Sequence, residues 1–475
     1  MNAADFAVSS PLLIMSATAV IAMLAIAIQR NHLVVAAMTL IGIGASLLSL
    51  TFAASAIPRQ LTSLLIFDSY SVIYMALILC AAAFVVLFSY DYLKRRHEHR
   101  EEFYLLILLA TTGAMVLVVS RHFISLFLGL ELLSVSLYAL ISYIRSKTVS
   151  IEAGIKYLVL AASSSSVLLF GLALMYAETG SMDLSQFATT LNHTAAFPVI
   201  AGLMLVLTGI GFKLAVVPFH LWTPDVYEGA PLPVTAFIAT VSKGGMFALI
   251  LRWFHLHDAA LSGTPGLVLS IIAIASMLTG NLLALSQSSV KRILAYSSIA
   301  HMGYALVALL AGGALGAPAA TYYLAAYFAT ILGAFGVMTI LSGPQREAAF
   351  IDDYRGLFWR RPFIAAAFTA MLLSLAGIPL TAGFLGKFYV IAAGASQSRW
   401  ILLFTLVVSS TIGLFYYLRI LAAMYAKTED TGPVTPMLPL PATLALAVLT
   451  GLVFLLGLYP TPLWNAIVSA TRNLG

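Results

Sequence analysis

The sequence predicts an all-α polytopic membrane protein of about fourteen transmembrane helices. Three observations lead there. The chain is 61% hydrophobic, with a mean hydropathy of +1.01. Only 9% of its 475 residues are charged, where a soluble domain carries about a quarter. Its apolar residues come in runs long enough to cross a bilayer. At about twenty residues per span, fourteen helices use roughly 280 residues. The remainder suffices for short loops and leaves no room for a separate soluble domain.

The runs fall at 10–29, 33–53, 69–92, 103–119, 122–144, 153–177, 196–219, 231–256, 265–287, 292–314, 319–342, 362–395, 399–425 and 437–460, here numbered helices 1 to 14. Gly, Pro and charged clusters separate them. Residues Met1 to Ser10 have no basic stretch and carry Asp5, so the first run reads as a true span and not a cleaved signal.

Lys and Arg, counted loop by loop, orient the chain. With the N-terminus outside, fifteen fall on inside loops and five on outside segments, and four lysines lie within apolar runs. The threefold bias follows the positive-inside rule and predicts both termini outside, which requires an even number of spans. The same distribution accounts for the net charge of +6. No basic patch interleaved with aromatics suggests nucleic acid as a partner.

Helices 7 and 12 read as broken. Helix 7 carries Pro218 and is followed by Pro224, in GFKLAVVPFHLWTPDVYEGAP; helix 12 carries Gly377, Pro379 and Gly383, in SLAGIPLTAGFLGK. Proline removes a backbone donor and clashes with the preceding turn. In lipid the freed carbonyls need partners, so a break is either a packing kink or the lining of a polar cavity. The two breaks stand five helices apart, and an odd offset reverses membrane direction. That spacing predicts an inverted five-helix repeat. Helices 1–3 would occupy 1–102, the repeats 103–257 (helices 4–8) and 265–425 (helices 9–13), and helix 14 with the tail 437–475, all within one transmembrane domain.

Charges inside the runs point to ion or proton transport. Glu131 is near the middle of helix 5, roughly 15 Å from either end at 1.5 Å per residue. Lys213 precedes Pro218 on helix 7, Lys243 lies on helix 8, and Lys387 follows the break in helix 12. Four such groups cost on the order of 10 kcal/mol to bury before any pairing. One glutamate can form a structural ion pair with one lysine, but it cannot neutralise three. Lys156 on helix 6 has Glu152 four residues earlier, an i,i+4 pair that also suits a membrane interface. His301 on helix 10, with Ser297, Ser298 and Tyr304 nearby, reads either as a relay member or as a satisfied polar residue. His220, beyond the helix 7 break, would line a water path to the inside. The Ser163–Ser166 run reads as close helix packing. Burial disfavours a charged lysine and a nearby carboxylate favours it, so a lysine with a switchable partner can release its proton. Moving one proton against ~150 mV requires about 3.5 kcal/mol, a pKa swing of about 2.5.

Other chemistries lack their residues. The one cysteine, Cys80, makes no intrachain disulfide and no cluster site. No P-loop and no GxGxxG at a strand-to-helix turn occurs. No serine–histidine–acid or metal-ligand spacing stands out. The chain itself is expected to bind no metal, flavin, nicotinamide or iron–sulfur centre.

Three runs carry a resemblance. GFKLAVVPFHLWTPDVYEGAPLPVTAFIATVSKGGMFALILR, SVKRILAYSSIAHMGYALVAL and SLAGIPLTAGFLGKFYV resemble the antiporter-like membrane subunits of respiratory complex I and the related cation/proton antiporters, over helices 4 to 13. The passages EEFYLLILLATTGAMVLVVSRHFISLFLGLELLSVSLYALISY and IEAGIKYLVLAASSSSVLLFG favour the bacterial NADH-quinone oxidoreductase branch, and the chain lacks the long lateral C-terminal helix of the largest members. The resemblance implies a proton relay of Glu131, Lys213, Lys243 and Lys387, joined by Lys156. It implies a bacterial inner (plasma) membrane location among other membrane subunits of complex I, with FMN, iron–sulfur clusters and quinone in partner subunits. Alternative readings are a subunit of a multisubunit Na+/H+ antiporter, a membrane subunit of a hydrogenase-type complex, or a non-pumping scaffold.

Overall fold

The computed structural model describes residues 2–96, 100–184, 186, 197–255, 263–427 and 439–472. The run ends expected at 196, 256 and 437–438, and the tail 473–475, lie outside the described residues. Among those described, thirteen helices are long and apolar enough to cross a membrane. They are α1 (Ala3–Ile28), α2 (His32–Ala53), α3 (Ser69–Lys94), α4 (Glu101–Val119), α5 (Phe123–Ile141), α6 (Thr148–Thr179), α7a (Phe197–Leu214), α8 (Leu232–Phe254), α9 (Thr264–Leu285), α10 (Val290–Ala311), α11 (Gly313–Leu341), α13 (Trp400–Tyr425) and α14 (Leu440–Leu458). The fourteenth is split into α12a (Pro362–Ala376) and α12b (Ala382–Ser396). Helix 7 continues past its break as α7b (Trp222–Gly229). A short helix, α15 (Thr461–Thr471), follows α14.

To these helices the structure adds an antiparallel hairpin, β1 (Arg59–Leu61) and β2 (Leu65–Phe67), between α2 and α3. Strands of three residues are too short for alternation to announce them. Arg59 ties the hairpin to α1 through Asp5, at 2.6 Å. Beyond β2, Asp68 caps α3 by accepting from the Ser71 amide, and it also receives two hydrogen bonds from Arg252 at the end of α8, at 2.5 and 2.9 Å. This ion pair is buried.

Packing repeats with a five-helix period. In the first half α4 packs on α5, α6 on α7a, and α8 closes back onto α4; in the second α9 packs on α10, α11 on α12, and α13 closes onto α9. Helices α8, α10 and α11 are enclosed nearly all round, whereas α1, α6 and α14 turn most of their surface outward. The α4–α5 contact is backbone on backbone. A Cβ on Gly113 would stand 2.6 Å from the Leu133 amide nitrogen, so a side chain there would force the helices apart. Close approach through small residues is how helices associate without a hydrophobic drive between them.

Candidate functional site: a buried lysine row

Each break satisfies its own backbone. At the first, Ala215 adopts φ +59° and the Val217–Pro218 bond is cis. The Trp222 indole donates to the Phe212 carbonyl at 3.0 Å, and Ser276 on α9 accepts from the Val217 amide at 2.9 Å. At the second, around Pro379, Gly377 has φ +87° and Leu380 φ +74°. There the last carbonyls of α12a meet the Lys387 ammonium, which donates to Leu375 O at 2.9 Å, Ala376 O at 2.8 Å and Ser410 Oγ at 2.7 Å. A cation at a helix C-terminus opposes the partial negative charge of its free carbonyls. Lys387 also borders a cavity of about 290 Å³ between α12 and α13.

Lys213, in the last turn of α7a, is 3% exposed. Its ammonium donates to Ser134 Oγ at 2.6 Å and Tyr157 OH at 3.1 Å. It makes no direct ion pair with Glu131. That carboxylate is one turn before Ser134 on α5, flanked by the outward-facing Leu128 and Val135, and its buried Oε1 accepts no hydrogen bond among the described residues. A hydroxyl pair thus stands at the lysine, with the carboxylate one helical turn away.

Lys243 is completely buried. It follows a π-helical turn, Ile238–Ser242, a local widening that recurs at functional sites. Its ammonium donates to Ser298 Oγ on α10 at 2.6 Å. Tyr327 OH donates to the same oxygen at 2.8 Å, and Tyr227 OH lies 3.3 Å away. A hydroxyl has one proton and two lone pairs, so Ser298 accepts from Lys243 and Tyr327 and has its proton left for Tyr227.

One turn further along α10, His301 is buried, with Nδ1 2.6 Å from Tyr323 OH and Nε2 3.4 Å from Tyr417 OH. Ser297 Oγ is 2.5 Å from Tyr417 OH. Tyr304 OH is bonded to Ser409 Oγ at 2.8 Å and receives the Asn281 amide at 2.9 Å; Lys387 Nζ stands 5.3 Å from its ring centre. The α10 side chains therefore fill the space between Lys243 and Lys387 with hydroxyl and imidazole groups.

Two predicted residues sit apart from this row. Lys156 is 45% exposed and pairs with Glu152 at 2.7 Å and Asp225 at 3.1 Å; Asp225 is shared with Arg292. His220 is buried beside the first break, and its Nδ1, like the neighbouring Thr223 Oγ1, has no hydrogen-bond partner among the described residues. In the serine run, Ser163 and Ser166 bond carbonyls of their own helix, and only Ser164 reaches α7a, at Gly209 O.

Sequence reasoning passed over Ser134, Tyr157, Tyr227, Tyr327 and Tyr417 as partners. Ser134, three residues after Glu131, carried a signal in its spacing; the tyrosines reach in from helices whose rotation the sequence leaves open.

A family model described as NADH:quinone oxidoreductase/Mrp antiporter, TM, matches residues 120–413, the stretch that holds both breaks and Glu131, Lys213, Lys243 and Lys387. The chain belongs to this family. Among relatives of the NADH:quinone oxidoreductase/Mrp antiporter family, the NADH-quinone oxidoreductase subunit N of Ectopseudomonas mendocina (strain ymp) is 47% identical, over 97% of this chain and 95% of its own length. A chain of respiratory complex I from Thermus thermophilus superimposes with a TM-score of 0.83 at 32% identity, covering 97% of this chain and 100% of that one. A chain of the Mrp complex from Dietzia sp. DQ12-45-1b gives 0.88 at 21% identity, covering 100% and 98%. At that identity the last likeness speaks for the fold alone.

Proposed function

We propose that the chain is the proton-translocating subunit N of a bacterial NADH:quinone oxidoreductase, carrying protons through Glu131, Lys213, Lys243 and Lys387 while other subunits hold FMN, iron–sulfur clusters and quinone. The observation that carries this reading is the row itself. Three buried lysines on α7a, α8 and α12b have no carboxylate bonded to them among the described residues and lie against hydroxyl groups on α5, α10 and α13. A protein that only bound its neighbours gains nothing from such a cost. The hydroxyls can accept and pass on a proton, and a shift of the Glu131 carboxylate changes how firmly Lys213 holds its own.

The two five-helix units serve as paired half-channels, one broken at Pro218 and the other at Pro379, with the α10 side chains between them. His220 Nδ1 and Thr223 Oγ1, buried without a hydrogen-bond partner among the described residues, suit the inside water path. Lys156, among exposed carboxylates near the inside end of α6, gathers protons at that surface. The basic-residue bias supports a reading with both termini on the periplasmic side of the inner membrane. Labelling of single cysteines at residues 2 and 472 by a membrane-impermeant reagent on intact cells checks this; labelling at neither position contradicts it.

The Mrp-type cation/proton antiporter reading shares the fold, but the identity to subunit N favours complex I. Gentle purification of the tagged chain separates them: NADH oxidation co-purifies in fixed ratio with a complex I subunit and is absent with an antiporter or a hydrogenase-type complex. Within the purified complex, Glu131→Gln and Lys213→Ala are expected to leave assembly intact and lower proton pumping at least about tenfold. Pumping at the wild-type rate in both would remove the relay from the mechanism.

A further inference from the structure

Beside the lysine row, a further buried lysine takes its carboxylate from a loop. Glu347, between α11 and α12a, turns inward and is only 10% exposed. Its Oε2 accepts from Lys291 Nζ at 2.8 Å, and its Oε1 accepts from Tyr92 OH on α3. Lys291, 1% exposed, also donates to Ala230 O at 2.8 Å, in the turn that leads into α8. The loop is held in register for this. The Val290 amide donates to Ala349 O at 2.6 Å, the Ile351 amide to Ser288 O at 3.1 Å, and Arg96 grips Gly343 O at 2.9 Å. Just beyond Tyr92, a space of about 10 Å³ is bordered by Asp91, whose Oδ2 is buried without a hydrogen-bond partner among the described residues. That is about the room one water molecule needs.

Lys291 also occupies a telling place on α10. Ser298 stands seven residues on, two turns along the same face and about 10 Å along the axis, and His301 follows one turn later. Ser298 is the oxygen to which Lys243 donates. A buried lysine with a carboxylate of its own thus sits at the inside end of the stripe that leads to the buried lysine without one.

We propose that Lys291 and Glu347 form a proton-loading pair for Lys243. This rests on the relay reading above. The ammonium of Lys291 gives one proton through intervening water to the Ser298 hydroxyl, which passes its own proton to the neutral amine of Lys243. Glu347 then takes one proton from inside water and returns it to the Lys291 amine. Each cycle moves one proton inward from the loop and restores both groups.

The test separates loading from stapling by using Lys291→Arg, which preserves the charge and the bond to Glu347 but cannot release a proton. Assembled complex in inverted membrane vesicles is assayed for NADH oxidation and for acidification, beside Glu131→Gln and Glu347→Asp. Loading predicts that Lys291→Arg assembles but pumps at least about tenfold more slowly, with Glu347→Asp largely restored to wild type. Wild-type pumping by Lys291→Arg, with Glu131→Gln impaired, overturns the pair and leaves the relay standing. Wild-type pumping by both variants overturns the relay as well. Failure of both Lys291→Arg and Glu347→Asp to assemble assigns the pair to structure alone and equally overturns the proposal.

Discussion

Ser298 carries the hydroxyl on which Lys243 and two phenols, those of Tyr327 and Tyr227, converge. In Ser298→Ala the ammonium and two phenols lose their shared partner in an enclosed site, and each unsatisfied buried group costs about 1–3 kcal/mol. The variant is expected to lower both the thermal stability of the purified complex and its pumping rate, while Ser298→Thr keeps the hydroxyl and restores pumping. Equal pumping in Ala and wild type would show that Lys243 does not work through this oxygen. Lys387 illustrates the opposite case. Its three donors are all taken by Leu375 O, Ala376 O and Ser410 Oγ, so it completes the fold of the α12 break as well as standing in the row.

At the level of elements, the two breaks are built alike. Each holds a non-glycine residue in the left-handed region, Ala215 at φ +59° and Leu380 at φ +74°. Such a residue costs about 1–2 kcal/mol, partly offset in glycine by the extra freedom of the unfolded chain. Leu380 is 63% exposed, so few contacts inside the chain depend on its side chain. Leu380→Gly is therefore expected to raise stability by about 0.5–1 kcal/mol, seen as a higher thermal midpoint of the purified complex; a lower midpoint would mean that the leucine side chain anchors a neighbour. The prolines and glycines that mark these breaks were legible in one dimension. That Trp222 and Lys387 turn back onto their own breaks, and that Ser276 reaches in from the remote α9, was not, because packing decides it.

Across the whole molecule, buried ion pairs tie the two ends of the bundle. Asp68 with Arg252 joins α3 to α8, and Glu347 with Lys291 joins the α11–α12 loop to α10. Burial pushes the Glu347 carboxyl up, but the Lys291 and Lys147 charges and the hydrogen bonds from Lys291 and Tyr92 outweigh it and hold it below the ordinary carboxylate range. With its folded value depressed, ionised Glu347 stabilises the fold above the unfolded value of about 4.3. That contribution is lost as the pH falls through the lowered value. Acid unfolding should accordingly show wild type more stable than Glu347→Gln at neutral pH, with the difference closing once the pH is below the carboxylate range. A difference that persists unchanged at low pH would contradict this.

The sequence by itself determined the spans, the two breaks, the five-helix offset and the presence of Glu131, Lys213, Lys243 and Lys387 within the apolar runs. Those are one-dimensional signals, because lipid penalises a charge or a proline wherever it falls along a run. Only the tertiary structure decided which acceptor each lysine meets. It placed Lys156 among exposed carboxylates and buried Lys291, at the start of α10, against Glu347 of the α11–α12 loop. The reason is that a membrane helix is apolar on its lipid side and its core side alike. The periodicity that tells a soluble helix which face points inward is then missing, and neither helix rotation nor the path of a loop can be read until the helices are packed.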